Sequence, residues 1–376
     1  MKIFTLDLKT AHFTSEAIKL FELGKKIITE LPEETQDFLA QVIKGEVRAG
    51  ICCDFDNTLV PTNEASRIFS SLDEDPSGTK APLCGFAIID KMPVGIISGN
   101  TVEYVTSRCA EPIQDFMLES PFKQNIVSIS IYALNGGYVL SYDKNGAEDS
   151  EYMLGYNASK KMPSVIAEKI TRIMLEELSK RVKKIIARGY DPLEARVGET
   201  TIYTFSPMLQ DRAGVQKCIV GVDKNIREDL ISVLRDRAVS EKIGKNIDIQ
   251  PGGQYSIDCQ MTSLKKRFAG RDFMVKYGLS HLIYLGDAVY LKSDGNEGND
   301  YSMVHNKNTF VFAVNADREE VPKSKGGRVQ WFGDSPESSK IFLTWLLICR
   351  ASFLCRSQPQ RANDIRNAIK YLGFSN

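Results

Sequence analysis

The chain has 376 residues, 43% of them hydrophobic and 26% charged, with Lys+Arg and Asp+Glu balanced at 48 each. That length calls for two domains or one core with insertions, and the composition is that of a globular protein. The even charge gives no global reason for nucleic acid or an anionic membrane as partner. Eight scattered cysteines include no C-x-x-C pair, which argues against a thiolate zinc site and for a reduced, cytoplasmic compartment. The opening MKIFTLDLKTAHF lacks the apolar region of a signal peptide, and the apolar run at 341–349 is too short to span a bilayer.

Residues 14 to 47 carry helical periodicity, first through Ile18, Phe21, Ile27 and Ile28, then through Phe38, Leu39, Val42 and Ile43. Pro32 separates the two helices and Gly45 ends the second, so residues 1–48 read as a helical extension. From 49 the texture becomes strand, loop, helix. AGICCDF (49–55) is a buried strand, PVGIISGN (93–100) a second, and a third precedes a hairpin with Lys144-Asn145-Gly146 as its turn. Near 160 an α+β unit begins, with long helices around 164–186 and 224–239 and strands in 200–207 and 247–261. After 262 a helix leads to the strand HLIYLGD (281–287), then to FVFAVN (310–315) and a closing helix from 338. The architecture is α/β: a Rossmann-like parallel core in two parts, 49–154 and 263–376, with an α+β insertion at 155–262.

Ligands of open α/β sheets sit beyond the carboxyl ends of the strands. Those ends carry Asp54, Asp56 and Thr58, then Ser98, Gly99 and Asn100, then Gly286 and Asp287. A helix start adds Lys265 and Lys266, and the loop SDGNEGND (293–300) brings Asp294 and Asp300. Two carboxylates at i and i+2 of a strand share a face, about 6.5–7 Å apart, and bare burial of either is costly. The pattern suits phosphoryl transfer. Asp54 attacks phosphorus, while Asp56 protonates the leaving oxygen and later activates water. Thr58 belongs to the same catalytic group. Ser98 and the amides that follow it bind phosphate oxygens, so Asn57, Gly99 and Asn100 are assigned to the substrate. A lysine neutralises developing charge. Asp54, Asp56, Asp287 and Asp300, with a backbone carbonyl among their donors, hold Mg²⁺, a cation of hard oxygen ligands. Each piece alone has a plain alternative: a capped turn, a turn serine, a solvated lysine pair, a polar loop. Their common position and single order set those alternatives aside.

In these motifs the chain resembles the haloacid dehalogenase superfamily of phosphohydrolases and phosphotransferases. The resemblance rests on Asp54-Phe55-Asp56-Asn57-Thr58-Leu59, on GIISGN with Ser98, on Lys266, and on LGDA with GND. It implies an inserted cap between the second and third motifs, as in sugar-phosphate phosphatases and eukaryotic-type phosphomannomutases. GGQYSIDCQMTSLKKRF (252–268) resembles the mutase stretch, which favours Lys266 over Lys265 and places Ser256 and Asp258 on sugar-phosphate-binding positions. Strand alternation puts those two on the face opposite Tyr255, Ile257 and Cys259. TFSPMLQDR resembles the segment that supplies a phosphate-binding arginine, here Arg212. The expected activity is a Mg²⁺-dependent phosphatase acting on a small phosphorylated metabolite, a sugar phosphate above all. A phosphohexomutase is the second reading, against which stands the late Arg67 in LVPTNEASR; a non-catalytic phospho-ligand binder is the third.

Overall fold

A computed structural model of the chain describes residues 13–63, 68–69, 71–73, 78–122, 129–142, 148–151, 162–186, 190–192, 202–205, 208–211, 216–218, 226–252, 256–262, 264–291, 297–323, 327–335 and 337–375. They fall into two units. The first comprises 1–151, 266–295 and 300–376; the second comprises 152–265 and 296–299. In chain order the first unit supplies β1 (Ala49–Cys53), β2 (Thr62–Asn63), β3 (Ile68–Phe69), β4 (Val94–Ile97), β5 (Ile129–Ala133), β6 (Tyr138–Tyr142) and β7 (Glu148–Glu151). The second supplies β8 (Tyr190–Pro192), β9 (Ile202–Phe205), β10 (Met208–Asp211), β11 (Gln216–Cys218), β12 (Ile247–Gly252) and β13 (Ser256–Met261). The first then adds β14 (His281–Gly286), β15 (Thr309–Ala313) and β16 (Val329–Trp331).

β1, β4, β5 and β15 are buried at every residue, as continuous apolar runs must be when a parallel sheet is covered on both faces. They lie in one sheet of order β16-β15-β14-β1-β4-β5-β6-β7. Neighbours from β16 to β5 are parallel, and β6 and β7 run antiparallel at the edge. The chain leaves β1 on one side through β4 and returns on the other at β14. The order therefore reverses at β1, and the carboxyl end of β1 is the switch point where such sheets bind ligands. The hairpin turn expected at Lys144-Asn145-Gly146 lies outside the described residues.

The leading helices span Ser15–Thr29 and Glu33–Lys44. Pro32 caps the second, since a fixed φ and a missing N–H suit a helix start. Gly45 ends it at φ 72°, a left-handed conformation that glycine adopts without strain. Their apolar faces, with Phe21, Ile28, Phe38 and Leu39, share one buried cluster with Trp345 and Leu346 of the helix Glu337–Ser357. The apolar run at 341–349 is thus part of a 21-residue helix that could cross a bilayer by length and composition alone, but 72% of its most apolar window is buried inside the protein. Arg350 on that helix donates to Asp90 Oδ2 (2.7 Å) and to the carbonyls of Val42 (3.2 Å) and Ile43 (2.7 Å). It supplies a donor to the Ile43 carbonyl at the end of the second leading helix, and shares Val42 O with Gly45 N (3.0 Å). A Cβ on Gly45 would stand 2.9 Å from Arg350 Nη1, so the glycine is required twice over.

In the second unit β12, β13 and β9 form an antiparallel sheet, and β11, β10 and β8 another. Ile249 of β12 and Ile257 and Cys259 of β13 are buried with Ile170, Met174, Leu230 and Leu234 of the helices Ser164–Ile186 and Ile226–Ser240. Asp258, between Ile257 and Cys259, takes the other face and stands opposite Gln250.

The two helices are also joined by charge. Glu177, 4% exposed, accepts from Lys180 Nζ (2.6 Å), Arg237 Nη1 (3.0 Å) and Arg181 Nη1 (3.1 Å). The Lys180 hydrogen bond leads, with Arg237 and Arg181 behind it, and against the cost of burial they pull the Glu177 carboxyl from 4.5 down to about 2. A depressed carboxylate contributes its stability in full above the unfolded value and loses it as pH falls through the folded value. The urea midpoint of the wild type should therefore drop relative to that of Glu177→Gln as pH goes from 4.5 toward 2. Parallel curves for the two proteins over that window would show that the cluster contributes nothing.

Candidate active site

β1 ends at Cys53, and the backbone then coils instead of continuing as a strand. Asp54 N still donates to Leu285 O of β14 (2.8 Å). Beyond it, Leu59 N and Val60 N both donate to Phe55 O, and Asn57 adopts φ 56° and donates to Val60 O. This corrects the expectation that Asp54 and Asp56 share a strand face. A turn over 55–60 separates them, stabilised by an asparagine that tolerates positive φ. Asn315 Nδ2 donates to Asn57 O (3.2 Å) and Thr79 Oγ1 to Leu59 O (2.7 Å), tying the turn to its neighbours.

Asp54 meets Lys266 and the two aspartates after β14. Lys266, the first residue of the helix Lys266–Lys276 and 1% exposed, places Nζ 2.6 Å from Asp54 Oδ1 and 2.7 Å from Asp300 Oδ1. Lys265 points elsewhere and pairs with Asp248 (2.8 Å). Asp300 is fully buried, and its carboxylate also accepts from the Tyr284 hydroxyl and from Ala288 N (3.1 Å). Room for it comes from Gly286: a Cβ there would lie 2.6 Å from Asp300 Oδ2. Oxygens of Asp54, Asp287 and Asp300 all lie within 4.8 Å of one another.

Burial, opposed by Lys266 and reinforced by Asp300, pushes Asp54 up to about 7. Burial, then the charges of Asp54 and Asp300, push Asp287 well above the carboxylate range. With all three carboxylates ionised, one lysine beside them would leave two negative charges over, which is why their protons are held so firmly without an ion. A divalent cation neutralises that excess, and three carboxylates are the hard donor set Mg²⁺ takes. The residues fit the ion.

Asp56 sits apart from this cluster. Its Oδ2 accepts from Asn100 Nδ2 (2.5 Å) and its Oδ1 from the Tyr104 hydroxyl (2.7 Å). Burial first, then the Asp56 charge, push the Tyr104 phenol far above its ordinary range, so it remains a donor. Ser98, 1% exposed, accepts from Asn100 N through Oγ (3.1 Å), which leaves its own hydroxyl proton to give. The expected phosphate-binding amide of Asn100 is thereby already engaged, and its side chain serves Asp56. Among the described residues the buried Thr58 hydroxyl has no hydrogen-bond partner. Asp258 lies in the second unit, described above. Of Ser256 only the strand position is described, and Arg67, Arg212 and Asp294 lie outside the described residues.

No protein-family model and no curated protein matches the sequence. Solved structures do. A C-terminally truncated IMP-nucleotidase of Plasmodium falciparum superposes with a TM-score of 0.55 at 14% identity, covering 89% of this chain and 83% of that one. The IMP-bound form of a mutant of the same enzyme gives 0.53 at 15%, over 88% and 79%. The C-terminal domain of trehalose-6-phosphate phosphatase from C. albicans gives 0.50 at 13%, over 85% and 97%. At these identities the likeness is one of fold. At the switch point of this fold Asp54, Lys266, Asp287 and Asp300 converge. Sequence reasoning missed Tyr104 and Tyr284. Tyr104 reads as an ordinary residue of an amphipathic helix, and Tyr284 as a core residue of β14; neither spacing marks a site.

Proposed function

We propose that the protein is a Mg²⁺-dependent phosphatase that hydrolyses a small phosphorylated metabolite through an aspartyl-phosphate. The observation that carries this reading is the cluster of Asp54, Asp287 and Asp300 around Lys266 at the switch point. When bound, the ion draws charge off the transferring phosphoryl group.

The rest falls to the chain's own residues. An Asp54 oxygen forms a bond to phosphorus as the ester P–O bond breaks, and Asp56, as the carboxylic acid, gives its proton to the departing oxygen. Asp56, now the carboxylate, takes a proton from water. The water oxygen bonds to phosphorus, the Asp54–phosphorus bond breaks, and inorganic phosphate leaves with both aspartates restored. Lys266 holds Asp54 and offsets charge that develops beside it. The Ser98 and Thr58 hydroxyls donate to phosphoryl oxygens. The inserted unit acts as the cap, with Ser256 and Asp258 and, by resemblance, Arg212 reading the rest of the substrate. The free thiols among the described cysteines support a reducing, cytosolic setting.

The test is a screen of phosphorylated metabolites that includes hexose phosphates, trehalose 6-phosphate and IMP, reading both free phosphate and isomerised product. Free phosphate, dependent on Mg²⁺ and independent of any bisphosphorylated activator, is the expected result. Clean isomerisation would instead establish the mutase, and binding without turnover a non-catalytic protein. Asp258→Ala should depress kcat/KM for the metabolite by about tenfold or more, and much less for a small aryl phosphate, since it removes contacts with the distal part of the substrate. Equal losses on both would remove Asp258 from recognition.

A further inference from the structure

The two oxygens of Asp56 are held by donors from one short segment after β4. Asn100 reaches Oδ2 and the Tyr104 hydroxyl reaches Oδ1 at 2.7 Å. That segment is itself fixed. Thr101 caps the helix by accepting from Tyr104 N at 3.3 Å. The Tyr104 ring meets the fully buried Phe55 edge-on, with centroids 6.2 Å apart and planes at 75°. Two residues later the helix opens into a π-turn, Thr106–Ala110, whose Cys109 and Ala110 are buried. Such turns alter the rotation of a helix locally and gather at functional sites.

Asp56 lies on the turn over 55–60, not on the rigid strand, so its backbone alone does not aim its carboxyl. A carboxyl that must deliver a proton to a departing oxygen, and then collect one from water at the same phosphorus, needs a fixed direction. The two donors, one on each oxygen, fix the plane and direction of the carboxyl.

We propose that Tyr104 is the positioning residue of the acid–base aspartate: through its hydrogen bond to Asp56 it aims that carboxyl at the leaving-group oxygen and so sets how well the enzyme expels poor leaving groups. The inference rests on the phosphatase reading above. The Tyr104 hydroxyl acts on the proton-carrying carboxyl, donating to Asp56 Oδ1. Its effect belongs to proton delivery, and the attack by Asp54 does not depend on it. In the first half-reaction the ester P–O bond breaks, the Asp54–phosphorus bond forms, and the Asp56 proton moves to the departing oxygen. A leaving group stable as an anion, such as nitrophenolate, departs without that proton, whereas an alkoxide does not.

The experiment uses the full chain with Mg²⁺ and the Tyr104→Phe variant, which keeps the ring against Phe55 and removes only the donor. kcat/KM is measured for an alkyl phosphate that the wild type hydrolyses and for p-nitrophenyl phosphate. It should fall about 10- to 100-fold for the alkyl phosphate and several-fold at most for the aryl phosphate, with KM for the alkyl phosphate little changed. In an Asp56→Asn background Tyr104→Phe should cost nothing further on the alkyl phosphate, because the two act as one unit. Equal losses on both substrates would mean that Tyr104 only supports the fold, and faster alkyl turnover would mean that it restrains Asp56; either overturns the proposal. A further drop in the Asp56→Asn background overturns it as well. A wild type that releases phosphate from no monoester sinks the phosphatase reading and this proposal with it, an outcome distinct from the others.

Discussion

Asp54→Asn should abolish phosphate release, by at least about 10³-fold, while leaving the protein folded. An amide oxygen is a far weaker nucleophile than a carboxylate, and no neighbouring group can replace it in forming the bond to phosphorus. The same change removes one charge from a crowded set of carboxylates. Metal-free protein should therefore melt no lower than the wild type, and the separation of activity from stability is itself informative. A phosphoryl analogue such as BeF₃⁻ should add to Asp54 in the wild type and not in the variant. Turnover by Asp54→Asn within tenfold of wild type would remove Asp54 as the nucleophile.

Lys266→Met should lower kcat about 10²- to 10³-fold, the usual loss when a fixed charge at the reacting centre is removed. Its effect on the fold should run opposite to that of Asp54→Asn. Lys266 is the buried cation between Asp54 and Asp300, and removing one partner of a buried pair leaves the others uncompensated, at about 3–5 kcal/mol. Methionine fills similar volume, so the loss reports charge and not packing. Mg²⁺ should then raise the melting temperature of the variant more than that of the wild type, because the ion takes over compensation the lysine no longer supplies. A variant as stable as wild type without metal, with activity within threefold, would mean that Lys266 neither neutralises the cluster nor serves the reaction.

The parallel core is legible in the sequence because its strands are continuous apolar runs ending in glycine and carboxylates. β4 and β14 follow those runs closely, with Ser98 and Asp287 just past their ends. Lys266 and Asp300 are legible as polar residues at a helix start and a loop end. What brings them together is not: Asp300 reaches the cluster through a close approach to Gly286, and a string of letters shows the glycine but not what fills its space. The turn at 55–60 is hidden for a related reason. D-x-D-N-T following a strand fits continued extension as well as coiling, and the choice is made by the Thr79 hydroxyl and the Asn315 side-chain amide, which donate to Leu59 O and Asn57 O from elsewhere in the chain. Tyr104 is hidden because it stands in a four-residue helical turn, Val102–Val105, whose letters carry no spacing that ties it to Asp56. Pro32 and Gly45 are the opposite case, since their backbone constraints act locally and mark the ends of the leading helices.

The position of β1 between β4 and β14 has a consequence for synthesis on the ribosome. β1, β4 and β5 emerge early and can pair, but the other edge of β1 waits for β14, which follows only after the whole inserted unit. At translation rates of 5–20 residues per second that wait is on the order of tens of seconds. During it an apolar edge of unpaired backbone lies open, the kind of edge that recruits other chains. The leading helices wait longer still, for the helix Glu337–Ser357, and Thr14 N for Phe374 O after that. Nascent chains stalled between 152 and 280 should thus be the aggregation-prone species, and the demand for a chaperone should concentrate in that interval.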